Sequence, residues 1–171
     1  MRYFIIGFKS AGKTTIGKKL AGNLAMGFID LDEYIERTTG RSVPEIFTSE
    51  GEAMFRKIEW KALKNVVNED NIVVSTGGGV PCHCDNMKLM EQSGEVIYLR
   101  LDNDTLVSRL EKATADRPIV KGKTREELYR YVLELREKCE HNYLRAKYVV
   151  ESKNLKINDL VKLLSTGRTA G

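Results

Sequence analysis

Gly7-Phe8-Lys9-Ser10-Ala11-Gly12-Lys13-Thr14 follows directly on the apolar run Tyr3-Phe4-Ile5-Ile6 and opens a segment in which Ile16, Leu20 and Leu24 recur at helical spacing. The order is strand, loop, helix, and the loop fits the pattern G-x-x-x-x-G-K-[ST]. Glycines at both ends let backbone N–H groups converge on phosphate oxygens, and the N-terminus of the following helix adds positive potential. Lys13 is placed to reach the β and γ phosphates of a nucleotide, and Thr14 to offer its hydroxyl to magnesium. Gly7, Ser10, Ala11, Gly12, Lys13, Thr14 and Thr15 are therefore the candidate nucleotide-binding residues. A chance glycine-rich turn has no reason to sit between a strand and a helix.

Outward from this loop the alternation continues. Phe28–Leu31, Ile72–Ser75, Val96–Leu101 and Tyr148–Val150 are apolar runs of strand length, with segments of helical period between them. This is an α/β chain, with a parallel sheet covered by helices on both faces. Two helices, Ser42–Glu50 and Glu52–Val67, are expected before the third strand, the second burying Phe55, Ile58, Leu63 and Val66. Thr124-Arg125-Glu126-Glu127 reads as a capping box that opens a long helix to about His141. Ahead of it, at about 112–124, apolar periodicity gives way to Asp116-Arg117-Pro118 and Lys121-Gly122-Lys123, a lid candidate.

The chain has 171 residues and no internal repeat, so one domain over 1–171 is expected, with a substrate-binding helical segment at about 31–63. Its 42% hydrophobic and 30% charged residues with only 3 prolines exclude disordered and collagen-like classes. Lys plus Arg number 28 against 24 Asp plus Glu, and the net charge of +4 is too mild to require a nucleic-acid partner. No basic stripe with interleaved aromatics points to one either. No run approaches the roughly 18 apolar residues of a membrane span. Three cysteines make an odd number, which argues against a secreted disulfide framework and for a reducing, cytoplasmic setting in which Cys82, Cys84 and Cys139 are packed or exposed thiols. Cys82-His83-Cys84 lacks the four ligands of a closed zinc site, because Cys139 and His141 are far away in sequence. A monomer is expected, since no extra apolar helix face marks an interface.

A phosphate loop leaves the acceptor of the γ-phosphate open, whether water, a protein or a small molecule. The absence of an N-K-x-D stretch argues against a GTPase. Asp30 and Asp32 stand at the end of the second strand, where a spacing of two puts both on one face of an extended segment. One carboxylate could orient a magnesium-bound water and the other take a proton from an acceptor hydroxyl; alternatively, Asp32 caps a helix that begins at Glu33. Gly77-Gly78-Gly79 follows the Ile72–Ser75 strand and brings bare backbone to the carboxyl edge of the sheet, a substrate contact or a flexible turn. Arg56, Arg117 and Arg136 are candidate anion-binding cations, and Arg56 can pair with Glu59 three residues on.

Together these residues resemble shikimate kinase over nearly the whole chain. Asp30-x-Asp32, Ile35-Glu36, Gly40, Ile46-Phe47, Gly51-Glu52 and Phe55-Arg56-x-x-Glu59 stand at the spacing of that family, followed in order by Gly77-Gly78-Gly79, Arg117-Pro118, and Arg136 with Tyr143. The resemblance implies a five-stranded parallel sheet in the order 2-3-1-4-5 and transfer of the ATP γ-phosphate to the 3-hydroxyl of shikimate, with magnesium, in aromatic amino acid biosynthesis. It implies Asp32 as the base and contact to the substrate hydroxyls, and Asp30 as a magnesium residue acting through water. By the same likeness Arg56 and Arg136 hold the shikimate carboxylate, Gly77, Gly78 and Gly79 give backbone contacts, Arg117 is the lid arginine at the phosphates, and Arg109 is the candidate for adenine stacking. No firm base-binding pattern stands at Glu151-Ser152-Lys153-Asn154. The rivals are a gluconate or nucleotide kinase with the same loop, and a non-catalytic nucleotide switch.

Overall fold

The apolar runs pair into one sheet in the computed structural model, which describes residues 1–112 and 122–167. Strands β1 (Arg2–Ile6), β2 (Gly27–Asp30), β3 (Ile72–Ser75), β4 (Glu95–Arg100) and β5 (Tyr148–Glu151) are all parallel, in the order β2-β3-β1-β4-β5. This is the order the resemblance implies. Tyr3, Phe4, Ile5 and Ile6 in the central strand are all fully buried although successive side chains point to opposite faces. Both faces of the sheet are therefore covered, as an all-parallel sheet requires.

The helices are α1 (Lys13–Leu24), α2 (Leu31–Thr39), α3 (Val43–Val66), α4 (Asn86–Ser93), α5 (Asn103–Lys112), α6 (Arg125–Tyr143) and α7 (Ile157–Thr166), with a short 3-10 turn at Val80–Cys82. α1 packs on β1, β2 and β3 and beside α7, α2 packs on α3, and α5 on α6. Thr124 and Glu127 form the expected reciprocal cap of α6, and Ser42 with Glu45 forms a second one at the start of α3.

The second strand begins and ends one residue earlier than the sequence suggests. Leu31 already opens α2, and the cap is Asp30, whose carboxylate accepts from the backbone N–H groups of Asp32 (3.1 Å) and Glu33 (3.4 Å). Capping these orphan donors favours ending the strand at Asp30. Asp32 consequently lies in the first helical turn, neither on an extended segment beside Asp30 nor at the cap. The two helices expected before β3 are the halves of α3, which bends at Gly51 (φ 80°, ψ 171°).

Registry fixes where the active edge forms. Ile5 pairs with Ser75, and Ser75 with Asp30, so the chain leaves β1, β2 and β3 at one level. The lid candidate, including Arg117, falls largely on residues 113–121, outside the described residues.

Gly51 occupies a backbone region that only glycine enters readily, and no atom lies within 4 Å of where a Cβ would be. Gly51→Ala should thus destabilise through the backbone alone, by on the order of 1–3 kcal/mol. A urea midpoint equal to that of the wild type would show that the bend does not depend on this glycine.

Candidate active site

The loop after β1 begins at Gly7 (φ 147°) and ends at Gly12 (φ 92°), both in the left-handed half of backbone space. Lys13, the first residue of α1, is buried and donates from Nζ to the carbonyls of Gly7 (2.9 Å) and Phe8 (2.8 Å). Thr14 donates to Asp30 Oδ2 at 2.7 Å. The two residues singled out for magnesium are therefore in contact, and hydroxyl plus carboxylate is a hard oxygen set that suits this ion. Arg109, on α5, donates to the Ser10 carbonyl at 3.0 Å.

Ser152 was not legible as a site residue. It is buried beyond the end of β5 and donates its hydroxyl to the Ala11 carbonyl at 3.1 Å. The contact joins the segment Glu151–Asn154 to the phosphate loop across 141 positions, which no local pattern could announce.

The glycines after β3 form a wall against this loop. A Cβ on Gly78 would lie 3.2 Å from the Lys9 backbone nitrogen and 3.5 Å from the Gly7 carbonyl oxygen. On Gly77 it would meet the Asp32 and Glu59 carboxylates, and on Gly79 it would collide with the Arg56 guanidinium at 2.6 Å. Asp32, Glu59 and Arg56 thus border one strip of bare backbone. Tyr143, buried on α6, donates to the Gly78 carbonyl, meets Phe8 edge-on and stacks on Tyr98. Burial is the main reason that its hydroxyl, and that of Tyr98, are pushed above the ordinary tyrosine range.

Charge in the strip is set by desolvation. Burial, then the Asp30 carboxylate, raise Asp32 above its ordinary value, against the pull of Lys13 and Lys9. Glu59 is pushed up to about 7, mainly by burial, although the Arg56 fork lies 3.0–3.1 Å from it and draws it down. Arg56 also contacts Glu52 and lies over the rings of Phe55 and Phe47.

Arg136 has partners of its own. Its guanidinium donates to Glu140 (3.1 Å) and to the Leu101 carbonyl, and lies over the Phe8 ring. Its described contacts are thus distinct from those of Arg56, and the two are linked through Phe8, Tyr143 and the glycine wall. Cys82 and Cys139 are not the separate thiols expected. They are joined as a disulfide, with Cα atoms 5.5 Å apart, because the Val80–Cys82 turn packs on α6. A sequence separation of 57 hid that proximity. Cys84 is exposed and unbridged.

A phosphate loop at a helix N-terminus, a desolvated carboxylate beside it and a caged arginine across a glycine wall define a P-loop kinase of small molecules. The comparisons narrow the class. The sequence profile described as "Shikimate kinase" matches residues 9–166. The shikimate kinase of Bacteroides thetaiotaomicron is 42% identical over 155 residues, 91% of this chain and 89% of that protein. A crystal structure of shikimate kinase from the same organism superposes with a TM-score of 0.92 at 39% identity, covering 96% of this chain and 98% of that one. The Acinetobacter baumannii shikimate kinase in complex with shikimate gives 0.84 at 32% identity, covering 98% and 93%. The chain belongs to the shikimate kinase family.

Glu59 has a stability signature of definite sign. Raised from 4.5 to about 7, it binds a proton more tightly in the folded chain. Its contribution to stability is therefore fully present below pH 4.5 and is lost as pH rises through about 7. The stability of the wild type relative to Glu59→Gln should fall across that window; a flat difference in urea midpoints would assign the titration to another group.

Proposed function

We propose that the chain transfers the γ-phosphoryl group of ATP to the 3-hydroxyl of shikimate, giving shikimate 3-phosphate and ADP, as a cytoplasmic monomer with no nucleic-acid or membrane partner. The observation that carries this reading is the contact of the glycine wall with the phosphate loop, which brings Asp32 into the field of Lys13 and Lys9. A base and the cation for the transferring phosphate then act on neighbouring atoms.

Asp32 takes the proton of the attacking hydroxyl, and a pKa raised by burial brings it closer to that task at neutral pH. Lys13 exchanges its loop carbonyls for the β and γ phosphates, where it offsets the charge of the transition state. Thr14 and, through water, Asp30 would hold magnesium, which would neutralise charge on the phosphate oxygens. Gly7, Ser10, Ala11, Gly12 and Thr15 complete the phosphate cradle, Arg109 flanks the base, and Arg117 is the lid arginine. Arg56, fixed by Glu59 and Glu52, and Arg136, fixed by Glu140, bind the acceptor carboxylate. The backbone of Gly77, Gly78 and Gly79 faces the acceptor ring.

ADP release measured with ATP and magnesium tests this directly. It should require shikimate, and gluconate or nucleoside monophosphates should not replace it; release without shikimate would favour a nucleotide switch. Asp32→Asn should nearly abolish turnover while leaving ATP affinity near that of the wild type. Lys13→Ala should lower kcat by on the order of 10²-fold or more. Arg56→Ala and Arg136→Ala should each raise the shikimate KM, at a cost of about 2–5 kcal/mol if the ion pair with the acceptor is desolvated. An Arg136 variant that shifts only the ATP KM would remove Arg136 from the clamp.

A further inference from the structure

We propose that Cys82 and Cys139 form a reversible thiol–disulfide modification site that sets how firmly the acceptor wall is held. The proposal rests on the reading of Gly77–Gly79 and Arg56 as that wall. Cys82 closes the 3-10 turn that starts immediately after Gly79, and within the turn Val80 N donates to the Gly77 carbonyl (3.2 Å) and Cys82 N to that of Gly79 (3.0 Å). A displacement of Cys82 is therefore passed directly to the glycines. Cys139 lies on α6 between Arg136 and Tyr143, one helical turn from Tyr143. Tyr143 already grips the wall at Gly78. One face of one helix thus holds the segment twice, by a hydrogen bond at Gly78 and through sulfur at Cys82.

The Cα separation of 5.5 Å falls inside the range of about 4.4–6.8 Å that a disulfide spans without backbone movement. Both cysteines are half-buried. The co-reactant is a low-molecular-weight disulfide, RSSR. A thiolate of the pair attacks it, forming a protein–SR mixed disulfide and releasing one thiolate of the reagent. The second cysteine attacks the protein sulfur of that mixed disulfide and expels the other. Two protein thiols become one disulfide, RSSR becomes two RSH, and two electrons pass to the reagent; excess RSH reverses both steps.

The bridge acts on the acceptor half of the site through the hydrogen bonds of the turn, whereas the wall meets the phosphate loop by packing at Gly78. The bridged wall is fixed before the acceptor arrives and loses less freedom when it binds, whereas the reduced wall relies on Tyr143. The described contacts that brace the nucleotide side, from Lys13, Arg109 and Ser152, do not pass through the turn.

The test equilibrates the full-length protein with glutathione and glutathione disulfide at a series of ratios, maps the linked peptides by mass spectrometry, and measures both Michaelis constants. The expected result is a Cys82–Cys139 peptide that forms and disappears with the ratio, and a shikimate KM about threefold or more higher in the reduced enzyme, with the ATP KM unchanged. Cys84→Ser should keep this response, while Cys82→Ser and Cys139→Ser should both hold the reduced value at every ratio. Failure of the peptide to form, bridging through Cys84 instead, or equal shikimate KM values in the two states would overturn the proposal. If Arg56→Ala still raises the shikimate KM in that case, the acceptor wall itself stands. A bridge that shifts only the ATP KM would overturn the acceptor-wall reading and the proposal with it.

Discussion

Everything at the active edge depends on the row Asp30, Ser75, Ile5 across three parallel strands. With those residues level, the loops that follow must meet within a few ångströms of the strand ends. Gly78 is what lets the loops after β1 and β3 approach, while Gly7 makes room for the Leu99 carbonyl of β4 and Gly77 and Gly79 for the side chains of Asp32, Glu59 and Arg56. The hydrogen bond from Thr14 to Asp30 then closes the row from above, joining the start of α1 to the start of α2. A shift of one residue in the β1–β3 pairing would separate the phosphate loop from the glycine wall, and would also turn buried side chains to the wrong face.

Desolvation gives the strip its chemistry. In water Asp32 and Glu59 would both be ionised and would repel across Gly77 at little cost. Burial raises both, Asp32 raises Glu59 further, and each is drawn back toward the charged form by a cation: Lys13 and Lys9 for Asp32, Arg56 for Glu59. Lys13 and Arg56 are themselves immobilised. Arg56 rests on the aromatic pair Phe47–Phe55, whose ring centroids lie 4.4 Å apart, and is gripped by two glutamates. Such a site spends little of its binding energy on ordering its own side chains when an anion arrives.

What the sequence disclosed divides by range. The phosphate loop, the α6 capping box and the strand runs are local, and each was readable because its physics is contained in a handful of consecutive residues. The bend at Gly51 was readable as a break between two helices. The error at Asp30 and Asp32 was also local: the apolar run Phe28–Leu31 extends into α2, since strand and first helical turn can share apolar residues while the cap decides the boundary. The remaining features are long-range. Ser152 on Ala11, Tyr143 on Gly78 and Cys82 with Cys139 are contacts between segments whose spacing carries no periodic signal. The resemblance supplied Arg56 and Arg136 as candidates for a carboxylate clamp but not their surroundings, so the distinct settings of the two emerge only from the fold.

Lys13 has a consequence for turnover. Its ammonium group is folded back onto the carbonyls of Gly7 and Phe8, the residues that open the loop. The loop is therefore tied across its own opening by a cation on the chain, and its backbone keeps its curvature around that charge. An anion that takes up Lys13 must first displace it from those carbonyls, so binding there trades one set of partners for another. The affinity for such an anion is lowered by what the carbonyls give up.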